Sequence, residues 1–170
     1  MTIDFKHYIE DVPDFPKPGI LFRDISPLLA HQFPAAIDAM SQLYDQVFWS
    51  GIDAIAGVDA RGFIFAAALA DRLEKELVLV RKAGKLPPPV ITHTYELEYG
   101  RDRLEMKAGS GRVIIVDDVL ATGGTLHAAA ELCAQAGYDV QGFLTAINLR
   151  FLNDFTWHSL SANALVTYDE

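Results

Sequence analysis

The spacing of hydrophobic residues changes several times along the chain, and each change predicts an element. From Pro34, itself in a first-turn position, Ile37, Met40, Tyr44, Val47 and Phe48 recur at helical spacing. "DAIAGVDA" (53–60) is an apolar run ending in an acid, which predicts a buried strand. "RGFIFAAALADRL" (61–73) returns to a helical pattern rich in alanine, and "LVLVRK" (77–82) predicts a second strand that breaks at "AGKLPPP". "VITHTYELEY" (90–99) is β-branched and aromatic, which favours extended structure before Gly100. "RVIIVDD" (112–118) is the clearest strand, followed by a helix over "GGTLHAAAELCAQAG" that Gly137 ends. "VQGFLTAINL" (140–149) and "ALVTY" (164–168) complete the set. Strands alternating with helices predict an α/β fold with a mainly parallel central sheet flanked by helices.

The first thirty residues follow neither period. Prolines at 13, 16, 18 and 27 preclude a long helix there and predict a fixed, extended segment laid over the rest. In a parallel sheet, ligands bind beyond the carboxyl ends of the strands. Three predicted strands end in charged chemistry: Asp59 with Arg61, Arg81 with Lys82, and Asp117 with Asp118. The sheet brings all three to one edge, and that edge is the expected site.

Composition narrows the ligand. A chain of 170 residues, 51% hydrophobic and 22% charged, is expected to form one domain with a substantial core. Its net charge of −9 argues against nucleic acid or an anionic membrane as partner, since both want a basic face. Anions must then be held by local devices: backbone N–H groups, a few arginines and lysines, or a metal ion. No apolar run approaches the ~20 residues of a membrane-spanning helix. "MTIDFKHYIEDV" has no apolar signal core, and the single cysteine, Cys133, cannot form an internal disulfide, so a cytoplasmic location is expected. Cys133 shares its helical face with Leu126, Ala129 and Ala130 and reads as a core thiol, while Trp49 and Trp157 read as packing residues. The five histidines show no metal-ligand spacing, and His93 and His127 read as surface residues.

The stretch "RVIIVDDVLATGGT" carries the sharpest chemistry. It lacks the lysine of a Walker A loop, and the glycines of "GSG" (109–111) precede the strand, where a dinucleotide fingerprint does not place them. A phospho-receiver acidic pair would require a later lysine, and none follows Lys107. What remains is a strand delivering two carboxylates to the sheet edge, then a helix start whose free N–H groups favour a phosphate. Gly123 and Gly124 permit close approach, and the hydroxyls of Thr122 and Thr125 add donors. Carboxylates accept sugar hydroxyls well and tolerate a hydrated magnesium ion nearby. Sugar hydroxyls at the acids and a phosphate on the helix start describe a cradle for ribose 5-phosphate.

"VIIVDDVLATGGT" closely resembles the phosphoribosyl-diphosphate (PRPP) signature of type I phosphoribosyltransferases. "PDFPKPGILFRDISPLL", "DARGFIFAAALA", "VRKAGKLP" and "YELEYG" resemble, in the same order, the adenine phosphoribosyltransferase family, over roughly residues 8–126. The resemblance implies a type I phosphoribosyltransferase fold with a small N-terminal hood: residues 1–33 as hood and base-binding segment, 34–170 as core. It implies transfer of the phosphoribosyl group from PRPP to adenine, giving AMP and pyrophosphate, in a homodimer. Magnesium would be bound with PRPP or pyrophosphate, with no direct protein ligand. Carried over residue by residue, Asp117 and Asp118 hold the ribose hydroxyls, with Asp118 also catalytic, and Ala121, Thr122, Gly123, Gly124 and Thr125 hold the 5′-phosphate. Arg61, Arg81, Lys82 and Lys85 serve pyrophosphate, one of them across the dimer interface. The Leu21 backbone and Arg23 hold the adenine edge, and Phe22 packs on its face. Glu98 matches the acid that manages the purine proton, beside Tyr99 on a mobile loop, with "GKLPPPVITHTYELEYG" as the candidate lid.

Read without the family, several of these residues have plainer roles. Arg23 reads as a surface arginine paired with Asp24, Arg61 as a partner of the preceding acid, "RKAGK" as a solvated basic turn, and Glu98 as an exposed strand-end residue. Two other functions also fit the cradle. One is a PRPP-sensing regulatory domain without catalysis, for which an acidic chain offers no nucleic-acid surface. The other is a phosphoribosyltransferase for a 6-oxopurine, whose pocket must present reversed hydrogen bonds at that position.

Overall fold

The structure, a computed structural model, describes residues 2–97 and 100–170. After a short 3-10 turn at Phe5–Tyr8, strands β1 (Glu10–Pro13) and β2 (Leu21–Asp24) pair antiparallel as a separate two-stranded sheet. Three short helices follow: α1 (Ser26–His31), α2 (Phe33–Ser41) and α3 (Gln46–Ser50). The remainder alternates: β3 (Ala54–Val58), α4 (Gly62–Leu73), β4 (Glu76–Lys82), β5 (Ile91–Leu97), β6 (Gly100–Met106), β7 (Gly111–Leu120), α5 (Gly124–Ala136), β8 (Tyr138–Leu149) and β9 (Ala162–Tyr168).

The main sheet has the order β5-β6-β4-β3-β7-β8-β9. Its centre, β4 to β9, is parallel, and β5 and β6 form an antiparallel hairpin against β4. Side chains alternate across β7, as the period of two requires. Val113 and Ile115 join a core with Leu126, Ala129 and Cys133 of α5, whereas Ile114 and Val116 face Phe65 and Leu69 of α4. Every residue of β3 is buried, as a central strand covered on both faces must be. Gly137 ends α5 in a left-handed conformation (φ +113°), as its place in the sequence implies.

Three expectations change. The helical run from Pro34 is broken: α2 stops at Ser41, and α3 restarts behind Asp45, whose side chain accepts the Phe48 N–H at 2.8 Å. This lets Tyr44 stack on Phe48 with ring centroids 4.0 Å apart, and leaves Val47 exposed outside the core. Strand β6 has no counterpart in the predicted elements. Its first residues, "GRDR", read as polar loop because one face of this edge hairpin is solvated, and Arg101 pairs there with Glu96 across the strands at 3.6 Å. Finally, β7 does not stop at its acids but pairs with β8 as far as Leu120↔Asn148.

Close packing of α4 on the sheet depends on Gly57, since a Cβ there would lie 2.6 Å from the Ala66 Cβ and 3.3 Å from the Phe63 ring. Gly57→Ala is expected to cost about 1–3 kcal/mol through overpacking, read as a lower urea midpoint at unchanged m-value.

Candidate active site

The carboxyl ends of β3, β4 and β7 open into a cavity of about 570 Å³, within the range of small-ligand sites. Asp59, Ala60 and Arg61 after β3, Lys82 of β4, and Asp117 and Asp118 of β7 form one side. Leu21, Phe22 and Arg23 of β2 form another.

Asp117 and Asp118 are each only 7% exposed, so they are not the solvated strand-end acids of the plain reading. The Asp118 N–H donates to Asp117 Oδ1 at 2.8 Å. The start of α4 presses against the pair, because a Cβ on Gly62 would stand 2.9 Å from Asp117 Oδ1. Burial, and then the charge of Asp118, push the Asp117 carboxyl well above the ordinary aspartate range. Arg61 Nε lies 2.8 Å from Asp118 Oδ2, an ion pair off the line of a hydrogen bond. That buried oxygen has no hydrogen-bond partner among the described residues. Arg61 thus pairs with Asp118, not with the acid that precedes it in sequence.

The other cations gather on Asp59. Its Oδ2 accepts the Lys82 backbone N–H and the Lys85 ammonium, each at 3.3 Å, and lies 3.5 Å from Arg81 Nε. Burial acts to raise the Asp59 carboxyl, but the Lys82 N–H, Lys85 and Arg81 outweigh it and hold the group below its usual value. Arg81 and Lys85 do not line the cavity themselves, but reach it through Asp59. Glu105 of β6 fixes the same turn from behind: its Oε1 accepts the backbone N–H groups of Lys85 and Leu86, each at 3.0 Å. "RKAGK" is therefore an anchored turn, not a solvated one.

Beside the acids, Val119 to Leu126 shape a smaller concavity of about 70 Å³. Gly123 takes φ +97° and a Cβ on it would lie 2.9 Å from the Phe155 ring, so the turn needs glycine there. Gly124 opens α5 with no such demand, since only Thr122 Oγ1, at 4.0 Å, comes near the position of a Cβ. Asn153 donates from Nδ2 to the Ala121 carbonyl at 2.8 Å and braces the turn from outside.

On β2, Phe22 presents its ring to the Arg61 guanidinium at 5.3 Å and receives the edge of Phe15. Arg23 departs from the plain reading of its side chain. The guanidinium bonds Asp11 at 2.6 Å, not Asp24, and lies 4.1 Å over the Tyr168 ring. Asp24 instead accepts the Ser26 N–H and hydroxyl at the start of α1. Glu98 and Tyr99 lie outside the described residues.

Sequence reasoning missed Tyr95 and Asp102, which bring the β5–β6 hairpin into the cavity wall with the Tyr95 hydroxyl 3.4 Å from Asp102 Oδ2. Burial raises the Tyr95 phenol above its usual range. Strict alternation in "THTYEL" was the available signal that Tyr95 and His93 share one face.

Comparison with known proteins matches residues 28–148 to the phosphoribosyl transferase domain. The adenine phosphoribosyltransferase of Hydrogenovibrio crunogenus is 50% identical over 164 residues, 96% of this chain and 95% of that protein. The chain belongs to the adenine phosphoribosyltransferase family. The family's solved structures carry the same architecture. That from Rhodothermus marinus superposes with a TM-score of 0.84 at 37% identity, covering 96% of both chains. That from Saccharomyces cerevisiae, complexed with an imino-altritol bisphosphate and adenine, gives 0.82 at 38% identity over 94% of both chains. Similarity to the adenine phosphoribosyltransferases therefore extends well beyond residues 8–126, into the segment that holds Asn153, Phe155 and Tyr168.

The buried acid pair is a local cost to the fold. Because the Asp117 carboxyl is raised, its contribution to stability is fully present below the unfolded value near pH ~4 and is lost as pH rises. Asp117→Asn is expected to stabilise the ligand-free protein near pH 7.5 by about 1 kcal/mol, a Tm rise of roughly 2–4 °C. The gain should shrink toward pH ~4; differential scanning calorimetry across pH checks both points.

Proposed function

We propose that this chain transfers the 5-phosphoribosyl group of PRPP to adenine, releasing pyrophosphate and AMP. The observation that carries this reading is the placement, around one cavity, of a buried acid pair, a glycine turn opening a helix, and the backbone of β2. Family relatives named for this reaction, and one solved with adenine bound, support it.

In this assignment the C1–O bond to the diphosphate breaks with its electron pair leaving on oxygen, and a nitrogen of adenine bonds to C1. Positive charge develops on the ribose ring as the bond lengthens. Asp117 and Asp118 receive the ribose hydroxyls and present negative potential to that charge in a site poor in water. Ala121 to Thr125 take the 5′-phosphate on the free N–H groups of α5, and fixing it orients C1 for attack. The space left above Gly124 suits close approach by a ligand rather than any need of the turn itself. Arg61 and Lys82 meet the diphosphate directly, and Arg81 and Lys85 do so on exchanging Asp59 for the more highly charged ligand. Adenine lies between Phe22 and the acid side, its edge read by the backbone of Leu21 and Arg23. Glu98 accepts the proton that adenine loses. The segment from Gly84 to Gly100 serves as the lid, with Ile91 of β5 packed against the core alongside Leu104 and Met106 of β6.

No group of three or more histidine, cysteine, aspartate or glutamate side chains among the described residues converges on a single metal position. The donor set suits magnesium that would take its oxygens from the diphosphate and water, with Oδ2 of Asp118, which has no hydrogen-bond partner among the described residues, able to accept from that water. When bound, the ion neutralises charge on the departing diphosphate. We assign the protein to the cytoplasm as a homodimer; among the described residues no helix is long and apolar enough to cross a membrane.

With magnesium, PRPP and each of adenine, hypoxanthine, guanine and xanthine, nucleotide is expected from adenine alone. A product from a 6-oxopurine would overturn the assignment of β2, and no product from any base would overturn catalysis. Asp118→Asn is expected to lower kcat by about 10²-fold, the usual size for losing one electrostatic stabiliser. Glu98→Gln is expected to lower single-turnover rates by about 10²-fold or more while adenine binding, measured by calorimetry, stays within a few-fold.

A further inference from the structure

The side chain of Arg23 is not free to bind a ligand. It is only 9% exposed and its guanidinium is held on two sides. Asp11, its cross-strand partner in the β1–β2 register, takes the Nη1 donor at 2.6 Å. The ring of Tyr168 takes its face at 4.1 Å, and the Lys6 ammonium meets the same ring at 4.8 Å. Tyr168 is the last residue of β9, in register with Leu149 of β8, and Leu149 lines the main cavity. A single ring near the end of the chain thus ties the two-stranded sheet to the edge of the main sheet. Arginine over a tyrosine face is an electrostatic attraction that needs the ring and not the hydroxyl.

We propose that Tyr168 is a positioning residue for the nucleobase pocket, acting through Arg23 to hold the backbone of β2 at a fixed distance from the acid side. The proposal rests on the reading that adenine is bound by Leu21 to Arg23. Tyr168 touches no substrate. It sets the height of the wall that does, so its loss separates base binding from PRPP binding. The ribose and phosphate cradle is carried by β7 and α5 in the middle of the main sheet and does not depend on this contact.

Steady-state kinetics on the full chain test it, with both substrates varied. Tyr168→Leu is expected to raise the KM for adenine about tenfold, leaving the KM for PRPP within twofold, while Tyr168→Phe stays within twofold of wild type for both. Asp11→Ala, at an exposed position, releases Arg23 from its other side and should raise the adenine KM about threefold; this keeps the test open if Tyr168→Leu fails to fold. Phe22→Ala separates the two readings. If it raises the adenine KM while Tyr168→Leu and Asp11→Ala do not, the clamp is wrong and the base pocket stands. If none of the three moves it, the base pocket is elsewhere and the clamp falls with it. Equal losses for both substrates with a lowered Tm would reduce Tyr168 to a purely structural role and overturn the proposal.

Discussion

Two carboxylates buried side by side on β7 are the constraint around which the site is arranged. Neither is reached by enough solvent to dissipate its charge, and burial together with the charge of Asp118 disfavours ionisation of Asp117. The fold meets this with few hydrogen bonds: one backbone N–H to Asp117, and an Arg61 ion pair that leaves Asp118 Oδ2 unsatisfied. A pair held this way is primed for a ligand that brings hydroxyls or a hydrated cation. The same acids explain why α4 begins with glycine. Only a residue without a Cβ lets the helix start sit against Asp117, and that contact sets the position of Arg61 one residue earlier.

A second consequence concerns the cations. A chain of net charge −9 that binds a polyanion must concentrate its positive groups and keep them from pairing elsewhere. Asp59 does this by collecting the Lys85 ammonium and the Arg81 guanidinium, while it takes only the backbone N–H of Lys82, and Glu105 locks the intervening turn through backbone N–H groups. An internal carboxylate that holds several cations is a weaker partner for each than a diphosphate would be. These contacts hold Lys85 and Arg81 beside the cavity, at the carboxyl ends of adjacent parallel strands.

Much of this was legible in the sequence wherever local pattern and tertiary role agree. The continuous apolar run of β7, the acids after it and the glycine turn before α5 could be read directly, because a central strand and a helix start leave strong local signatures. The failures share a cause. The break between α2 and α3 is decided by Asp45 capping a new helix, which the apolar period of Tyr44 and Phe48 overrides on paper. Strand β6 is concealed because its outer face is charged. The plain pairing of Arg23 with Asp24 fails as well, since its partners are Asp11, twelve residues away, and Tyr168, at the far end of the chain. No spacing rule connects residues 23 and 168; only the sheet order does.

That separation also orders the two halves of the cavity by rigidity. The phosphate side is built from β7 and α5, whose backbone bonds and buried side chains on both faces leave little room to yield. The base side is built from a two-stranded sheet, which is marginal on its own and keeps its place through contacts at its flanks. Those contacts are apolar at one end, where Ile9 and Ile25 are buried in one core with Ile37 and Phe65, and charged and aromatic along the side, Asp11 to Arg23 to Tyr168 with Lys6 beyond. On the proposed assignment, the wall that meets the base is held in place by contacts remote from the acids, while the sugar and phosphate meet the central strand and its helix. On that proposal, residues far from the acid pair bear on which base is accepted without touching the bond that breaks.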